Sequence, residues 1–342
     1  MTKPKKIGIL TAGGDCPGLN AAIRGVGKTA ILKYGMEVVG ISSGFLGLLH
    51  NDYISMDESS LSGILTLGGT VLGTSREKPF KKDHQLANQK PQLIKKNYLE
   101  QEFDCIVCIG GNGTMNTAAL LANEGLNVIG IPKTIDNDVW GTDQTFGFDS
   151  ALLIATDAID RLHSTANSHK RIMVIEVMGN HAGWLALYAG MAGGGDVILI
   201  PEVEYDMKFV NKYLKRRVTS GKPYSIVVVA EGIKKPKKLS AAAYVAEKIE
   251  EGVGIETRKT ILGYIQRGGS PSPMDRLLAS SYGAHTVELI ARGDYGKMVM
   301  KNGESISDIP LSEVGGKLRL VSPTHPFIEK ARGLGVCFGH PE

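Results

Sequence analysis

Phe103-Asp104-Cys105-Ile106-Val107-Cys108-Ile109-Gly110-Gly111-Asn112-Gly113-Thr114 is the stretch from which the fold is read. Residues 105–109 are uninterrupted apolar side chains, a run with no polar alternation, as in a strand covered on both faces. The run stops at Gly110-Gly111-Asn112-Gly113-Thr114, and a helix-like stretch, 115–123, follows.

The same order recurs on either side. Ile7-Gly8-Ile9-Leu10 stops at Thr11-Ala12-Gly13-Gly14-Asp15, ahead of a helix-like 21–32. Residues 128–131 stop at Pro132-Lys133-Thr134-Ile135-Asp136-Asn137-Asp138, ahead of a helix-like 151–163. Strand, loop and helix in repetition specify a parallel α/β sheet. Ligands of such sheets gather at the carboxyl ends of the strands, near the switch in strand order, so these three loops are expected around one crevice. A second series of buried runs, 171–177, 197–200, 225–230 and 260–265, predicts a second α/β layer. The chain shows no internal repeat and no low-complexity tract.

Composition narrows the class without choosing a function. The 342 residues suffice for two domains. With 42% hydrophobic and 22% charged residues, the composition is that of a soluble globular protein. A net charge of +4 is too mild to imply a nucleic-acid partner. No apolar stretch is long enough to span a bilayer, and the apolar run behind the basic start is too short for a secretory leader. Four cysteines do not make a disulfide framework. Cys105 and Cys108 form a C-x-x-C inside the apolar run, which reads as a pair of buried thiols, and a reducing cytoplasm is expected. Lys234-Lys235-Pro236-Lys237-Lys238 has no aromatic residue interleaved and reads as a solvated loop.

Three features carry chemistry. Successive glycines at 110, 111 and 113 expose backbone N–H groups ahead of a helix, which suits a phosphate, with Thr114 placed as an N-cap or phosphate ligand. A generic glycine turn reads equally from that loop alone, since it has neither the Walker A nor the G-x-G-x-x-G spacing. Asp136 and Asp138 flank Asn137 directly after a buried run. One carboxylate suits a base for an attacking hydroxyl and the other a metal ligand, while an Asx turn or helix cap is the structural alternative. Arg76, Arg171, Arg258 and Arg267 then supply forked cations in the number two phosphate-bearing molecules need.

With these residues in place, the chain resembles the 6-phosphofructokinase family along nearly its whole length. The resemblance rests on Gly13-Gly14-Asp15-Cys16-Pro17-Gly18-Leu19-Asn20, the Gly110 to Thr114 loop, Thr134-Ile135-Asp136-Asn137-Asp138, Glu176-Val177-Met178-Gly179 and Leu262-Gly263-Tyr264-Ile265-Gln266-Arg267-Gly268-Gly269-Ser270, in the family's order. It implies two Rossmann-like three-layer α/β domains with the active site in the cleft between them. The large nucleotide-binding domain would be 1–147 plus about 266–315, and the smaller sugar-phosphate domain 148–265 plus the C-terminal tail.

The resemblance also implies an activity, transfer of a phosphoryl group from ATP to the C1 hydroxyl of fructose 6-phosphate with Mg²⁺. Asp136 would be the general base, Asp138 would act through the metal and transition state, and Thr134 would contact the transferring phosphoryl. Gly13, Arg76 with its neighbour Glu77, Gly111, Asn112, Gly113, Thr114 and Lys133 would hold the nucleotide phosphates. Met178, Gly179, Glu231, Gln266 and Arg267 would meet the sugar. Arg171 and Arg258 would reach its 6-phosphate from a neighbouring subunit, which implies a homodimer or homotetramer with shared sites.

Three positions depart from the common bacterial pattern. Asn112 stands for a magnesium-binding aspartate, so the implied metal set is Asn112 and Asp138. Asn180 stands for an arginine, and Tyr264 for a histidine whose hydrogen bond its hydroxyl can still donate. ATP-using members carry glycine at positions 113 and 133, and pyrophosphate-using members aspartate and lysine. This chain pairs Gly113 with Lys133, which gives ATP as the expected donor and pyrophosphate as the alternative. A non-catalytic regulatory subunit is the remote alternative, opposed by the intact Thr134, Asp136 and Asp138. Arg24, Lys28, Asp196 and Lys222 match parts of the family's effector pocket, but His163, Ser220 and Pro223 stand where basic residues are common.

Overall fold

The computed structural model describes residues 3–81 and 89–340; the first two residues of the basic start lie outside them. Among the described residues the strands are, in chain order, β1 (Lys6–Ala12), β2 (Glu37–Ile41), β3 (Tyr53–Met56), β4 (Cys105–Gly110), β5 (Val128–Thr134), β6 (Phe146–Gly147), β7 (Ile172–Val177), β8 (Val197–Leu199), β9 (Ser225–Ala230), β10 (Thr257–Ile261), β11 (Lys297–Asn302) and β12 (Ser305–Pro310). They fall into two compact units: Met1–Asp149 with Arg267–Arg319, and Ser150–Gln266 with Leu320–Glu342.

The first unit holds an eight-stranded sheet in the order β12-β11-β5-β4-β1-β2-β3, with β6 beside β5. Pairing is parallel from β2 through β1, β4 and β5 to β11, and antiparallel only where β3 and β12 close the edges. The apolar run at 105–109 is β4, wholly buried in the middle of this sheet. Cys105 and Cys108 are free thiols there, and burial pushes both upward in pKa. The chain leaves β1 for β2 on one side and returns to β4 on the other, so the switch in strand order lies between β1 and β4. Register then sets the level of the loops: Ala12 pairs with Gly110, and Gly110 with Pro132.

Three boundaries differ from the sequence reading. The strand read as 128–131 continues through Pro132, Lys133 and Thr134, because β6 pairs with Lys133 and Thr134 beyond the reach of β4. The supposed loop Gly110 to Thr114 is short: Gly110 ends β4, Gly111 is the N-cap, and the helix Asn112–Asn123 has already begun. Thr114 is therefore not a cap but a buried first-turn residue, whose hydroxyl donates to the Ala12 carbonyl at 3.3 Å. The run read as 260–265 is β10, Thr257–Ile261, followed by a single 3₁₀ turn, Gly263–Arg267.

The helix Leu19–Tyr34 packs on the helix Pro273–Arg292 by glycine contact. A β-carbon on Gly283 would stand 2.6 Å from the Val26 nitrogen and 2.9 Å from the Ala22 carbonyl oxygen, and both obstacles are backbone. That contact lets the second helix, which arrives late in the chain, cover the sheet.

The second unit is a four-stranded parallel sheet, β10-β7-β9-β8. Its strands are short, apolar and buried, except β10, where Arg258, Lys259 and Ile261 are exposed. Val177 pairs with Ala230, so Met178 and Glu231 leave their strands at one level. Glu176 is buried and its carboxylate accepts from the Ala242 N–H at 2.7 Å, capping the helix Ala241–Val253 beside the Ser240 hydroxyl. No described helix is long and apolar enough to cross a membrane.

Gly283→Ala should lower stability by roughly 1–3 kcal/mol through overpacking against immovable backbone, whereas alanine at the open, helical-φ Gly333 should change it little. Thermal or urea unfolding of the two variants gives the comparison, and equal midpoints would show that the crossing is not tight.

Candidate active site

The loops at the switch point surround a cavity of about 280 Å³ in the first unit. Nine of the residues singled out from the sequence line it: Gly13, Arg76, Glu77, Gly111, Gly113, Thr114, Lys133, Thr134 and Arg267. The Gly13 loop is pinned by its own backbone, with the Gly13 N–H donating to Ser75 at 2.9 Å and the Thr74 hydroxyl to the Gly13 carbonyl at 2.7 Å. Glu77 is held by Lys90 at 2.8 Å, and its neighbours Arg76 and Lys78 are exposed cations on the cavity.

Lys133 and Arg267 converge on the same loop. Lys133 is 3% exposed, its ammonium donates to the Gly14 carbonyl, and burial lowers its pKa from the ordinary lysine value. Arg267 donates to the Asp15 carbonyl at 3.1 Å, and its Nε is buried without a hydrogen-bond partner among the described residues. A β-carbon on Gly14 would lie 2.5 Å from the Arg267 guanidinium, so glycine there is what admits the arginine. The resemblance assigned Arg267 to the sugar; the structure seats it on the cavity with Gly14 and Lys133. Two cations against backbone carbonyls, beside the N-terminus of the helix Asn112–Asn123, form an anion site without a counter-carboxylate among its lining but Glu77.

The acidic segment is a shaped turn. Asn137 takes φ 52°, in the left-handed region that asparagine tolerates, and its side chain accepts from the Thr145 N–H at 2.9 Å. The Thr145 hydroxyl donates to the Thr134 carbonyl at 2.7 Å, and the Asp136 N–H donates to the Thr134 hydroxyl at 3.1 Å. The Asn137 side chain thus ties this turn to Thr145, eight residues on, and Asp136 and Asp138 stand on either side of it. Asp136 is partly buried and Asp138 is 7% exposed. Asn112 opens its helix beside Gly111 with Oδ1 buried and lacking a hydrogen-bond partner among the described residues.

The second unit carries the remaining candidates. Met178 donates its N–H to the buried Gln266 carboxamide at 3.1 Å, and the Glu231 N–H donates to the Val177 carbonyl at 2.9 Å. Gly179 has φ 127°, and Asn180 is exposed, bonded to the His181 ring at 3.1 Å. Arg171 and Arg258 both pair with one carboxylate, Glu256, the first at 2.5 Å. Tyr264 is 76% exposed, remote from any hydrogen-bond partner among the described residues. Asp196, named among the effector residues, is paired with Arg217 at 2.6 Å and accepts from the Ile226 N–H at 3.0 Å.

Sequence reasoning missed Ser75, Lys78 and Thr117, which also line the cavity of the first unit. Thr117 was within reach, one helical turn after Gly113, and its hydroxyl donates to that carbonyl at 3.0 Å. Ser75 and Lys78 lie on irregular chain, where no periodicity marks them. Asn20 was quoted only as part of a motif. It is buried and donates to the Leu67 and Gly68 carbonyls at 3.2 Å each, while its carbonyl accepts from Val71 at 2.8 Å, so it fixes that loop to the first helix.

Curated relatives match the sequence along nearly its whole length. ATP-dependent 6-phosphofructokinase 3 of Bacteroides thetaiotaomicron is 62% identical over 98% of this chain and 100% of its own length. ATP-dependent 6-phosphofructokinase of Spirochaeta thermophila is 56% identical over 99% of each. Among solved structures, phosphofructokinase from Saccharomyces cerevisiae superimposes with a TM-score of 0.81 at 32% identity, covering 91% of this chain, which spans 45% of the yeast chain. The phosphofructokinase family model matches residues 6–290, a span that runs from β1 through β10 into the helix Pro273–Arg292. On the length of that match, and with the cavity loops inside it, the chain belongs to the phosphofructokinase family.

Proposed function

We infer that the protein transfers the γ-phosphoryl group of ATP to the C1 hydroxyl of D-fructose 6-phosphate, giving fructose 1,6-bisphosphate in the cytoplasm. The observation that carries the choice of donor is the surroundings of Gly113. Nothing lies within 4 Å of where its β-carbon would stand. Past it a further cavity of about 220 Å³, which shares Lys78, Gly113 and Thr117 with the first, is walled by Phe80 and Leu120 and edged by Lys81. A nucleoside has room there; an inorganic donor would leave it empty.

In this reading the γ-phosphoryl sits among Gly13, Gly111, Thr114, Lys133 and Thr134. Lys133 and Arg267 offset charge as it develops on the transferring group, filling the place that an arginine at 180 takes in other members. Asp136 accepts the C1 hydroxyl proton. Asp138 and the orphaned Asn112 oxygen are hard donors of the kind Mg²⁺ takes, alongside water and phosphate oxygens, and no cluster of three acidic, histidine or cysteine ligands is needed among the described residues. Mg²⁺ bound there supplies charge neutralisation for the donor phosphates. Fructose 6-phosphate is held by Met178, Gly179, Glu231 and Gln266, with Arg171 and Arg258 serving the 6-phosphate of a neighbouring copy in a homo-oligomer.

Three experiments test this. Initial rates with fructose 6-phosphate and Mg²⁺ should appear with ATP and be absent with pyrophosphate as sole donor. Gly113→Asp should keep the fold, since its side chain meets open space, and raise KM for ATP at least tenfold by repelling the nucleotide. Turnover with pyrophosphate alone would instead make Lys133 the determinant. Asp136→Ser should lower kcat about 10²- to 10⁴-fold while the Kd for fructose 6-phosphate stays within threefold; near-normal turnover removes Asp136 as base.

A further inference from the structure

A strongly charged loop of the second unit takes no part in the function inferred above. Lys234-Lys235-Pro236-Lys237-Lys238 lies between β9 and the helix Ala241–Val253, with Lys234, Lys237 and Lys238 exposed and Lys235 half-buried. None of the four ammonium groups forms an ion pair among the described residues, in contrast to Lys248 in the helix that follows, which Glu251 holds at 2.6 Å. The Tyr205 hydroxyl donates to the Lys234 carbonyl and so brings the acids around Tyr205 towards the loop, but most of these are engaged elsewhere. Glu202 accepts from the Gly183 and Val321 N–H groups at 2.9 Å each, and Asp206 caps the helix Met207–Thr219. Glu204 is exposed and pairs with none of the lysines.

Both ends of the loop are fastened where the sugar candidates leave their strands. At the first end the Glu231 N–H donates to the Val177 carbonyl at 2.9 Å and the Gly232 N–H to the Gly179 carbonyl at 3.2 Å. A β-carbon on Gly232 would stand 2.0 Å from the Asn180 carbonyl oxygen, so glycine there lets the chain lie against the Met178-Gly179-Asn180 turn. Ile233 is buried, and its N–H returns to the Ala230 carbonyl at 3.3 Å. At the second end Ser240 caps the helix Ala241–Val253, and the Glu176 carboxylate at the end of β7 accepts from Ala242 at 2.7 Å.

Distance decides what these cations can do. Each lysine is within three residues of Gly232 or Ser240, about 10 Å of extended chain. That is about one Debye length at 0.1 M salt, so their field reaches the strand ends without contact. The phosphate of a sugar phosphate carries close to two negative charges at neutral pH. Resting on the assignment of fructose 6-phosphate to Met178, Gly179 and Glu231, we propose that the lysine loop is a capture surface for that substrate. It draws the dianion to the site through space and makes no bond to it once bound.

Initial rates of the full chain at about 0.01 M and about 1 M salt, where the Debye length is about 30 Å and about 3 Å, test this. At low salt, Lys234→Gln, Lys235→Gln, Lys237→Gln and Lys238→Gln combined should raise KM for fructose 6-phosphate at least about threefold. The same variant should keep kcat, KM for ATP and the unfolding midpoint of wild type. At high salt its KM for fructose 6-phosphate should converge on the wild-type value, and arginine at all four positions should behave as wild type throughout. ATP, the more highly charged substrate, controls for the net charge removed. An unchanged KM for fructose 6-phosphate at low salt overturns the proposal, as does a rise that persists at high salt or one shared by ATP. Wild type without turnover of fructose 6-phosphate at either salt overturns the substrate assignment and the proposal with it, whereas turnover with unaltered KM in the variant overturns the proposal alone.

Discussion

Ala12, Gly110 and Pro132 lie side by side in adjacent parallel strands, and the phosphate-binding end of the first unit depends on that row. Because β1, β4 and β5 are buried on both faces, a slip of one residue in any of them would exchange the side chains fitted against the two covering layers and disturb the packing on both. The register is therefore fixed by the core, and the loops inherit it. Gly13, Gly111 and Lys133 come together without any direct bond between the three, since each follows its neighbour in the row by one position. Position in the sheet does what long-range contacts would otherwise have to do.

Lys133 shows the cost of that arrangement. Its β5 position places an ammonium in the protein at 3% exposure, where it donates to the Gly14 carbonyl. Burial lowers its pKa below the ordinary value, ahead of the smaller raising influences of Cys16, Asp15 and Asp136. A lysine whose folded pKa lies below its unfolded one destabilises the fold at pH below the folded value, and the penalty fades as pH rises from the folded value to the unfolded one. An anionic phosphoryl donor works in the opposite direction by favouring the charged form. The free protein thus carries a strain that its substrate relieves, consistent with a buried cation retained for binding and not for stability.

The parallel sheet and the loop positions were legible because apolar runs and glycines are local signals. The strand ends were less so. Lys133 and Thr134 look like loop residues in the sequence, but β6, a two-residue strand with no pattern of its own, extends β5 over them. Thr114 reads as a cap because threonine prefers caps, yet Gly111 begins the helix and Thr114 turns inward to the Ala12 carbonyl, a contact 102 residues away in sequence. Arg267 is a similar case. Nothing near it in sequence announces Gly14, and only the missing β-carbon of that glycine lets the guanidinium in. What the sequence hides in each instance is a non-local neighbour, whereas the residue type and its chemistry were readable.

Arginine pairs in the second unit make the same distinction in charge. Arg171 and Arg258 share Glu256, so an incoming phosphate must displace a carboxylate before it gains their hydrogen bonds. Arg216 and Arg332 rest on aromatic rings, which orient a guanidinium without using its N–H donors. The first arrangement lowers affinity but discriminates, because a weaker anion than phosphate fails to compete with Glu256. The second pairs neither guanidinium with a carboxylate among the described residues, so the charge that Glu256 compensates in the first pair is left to the rings in the second.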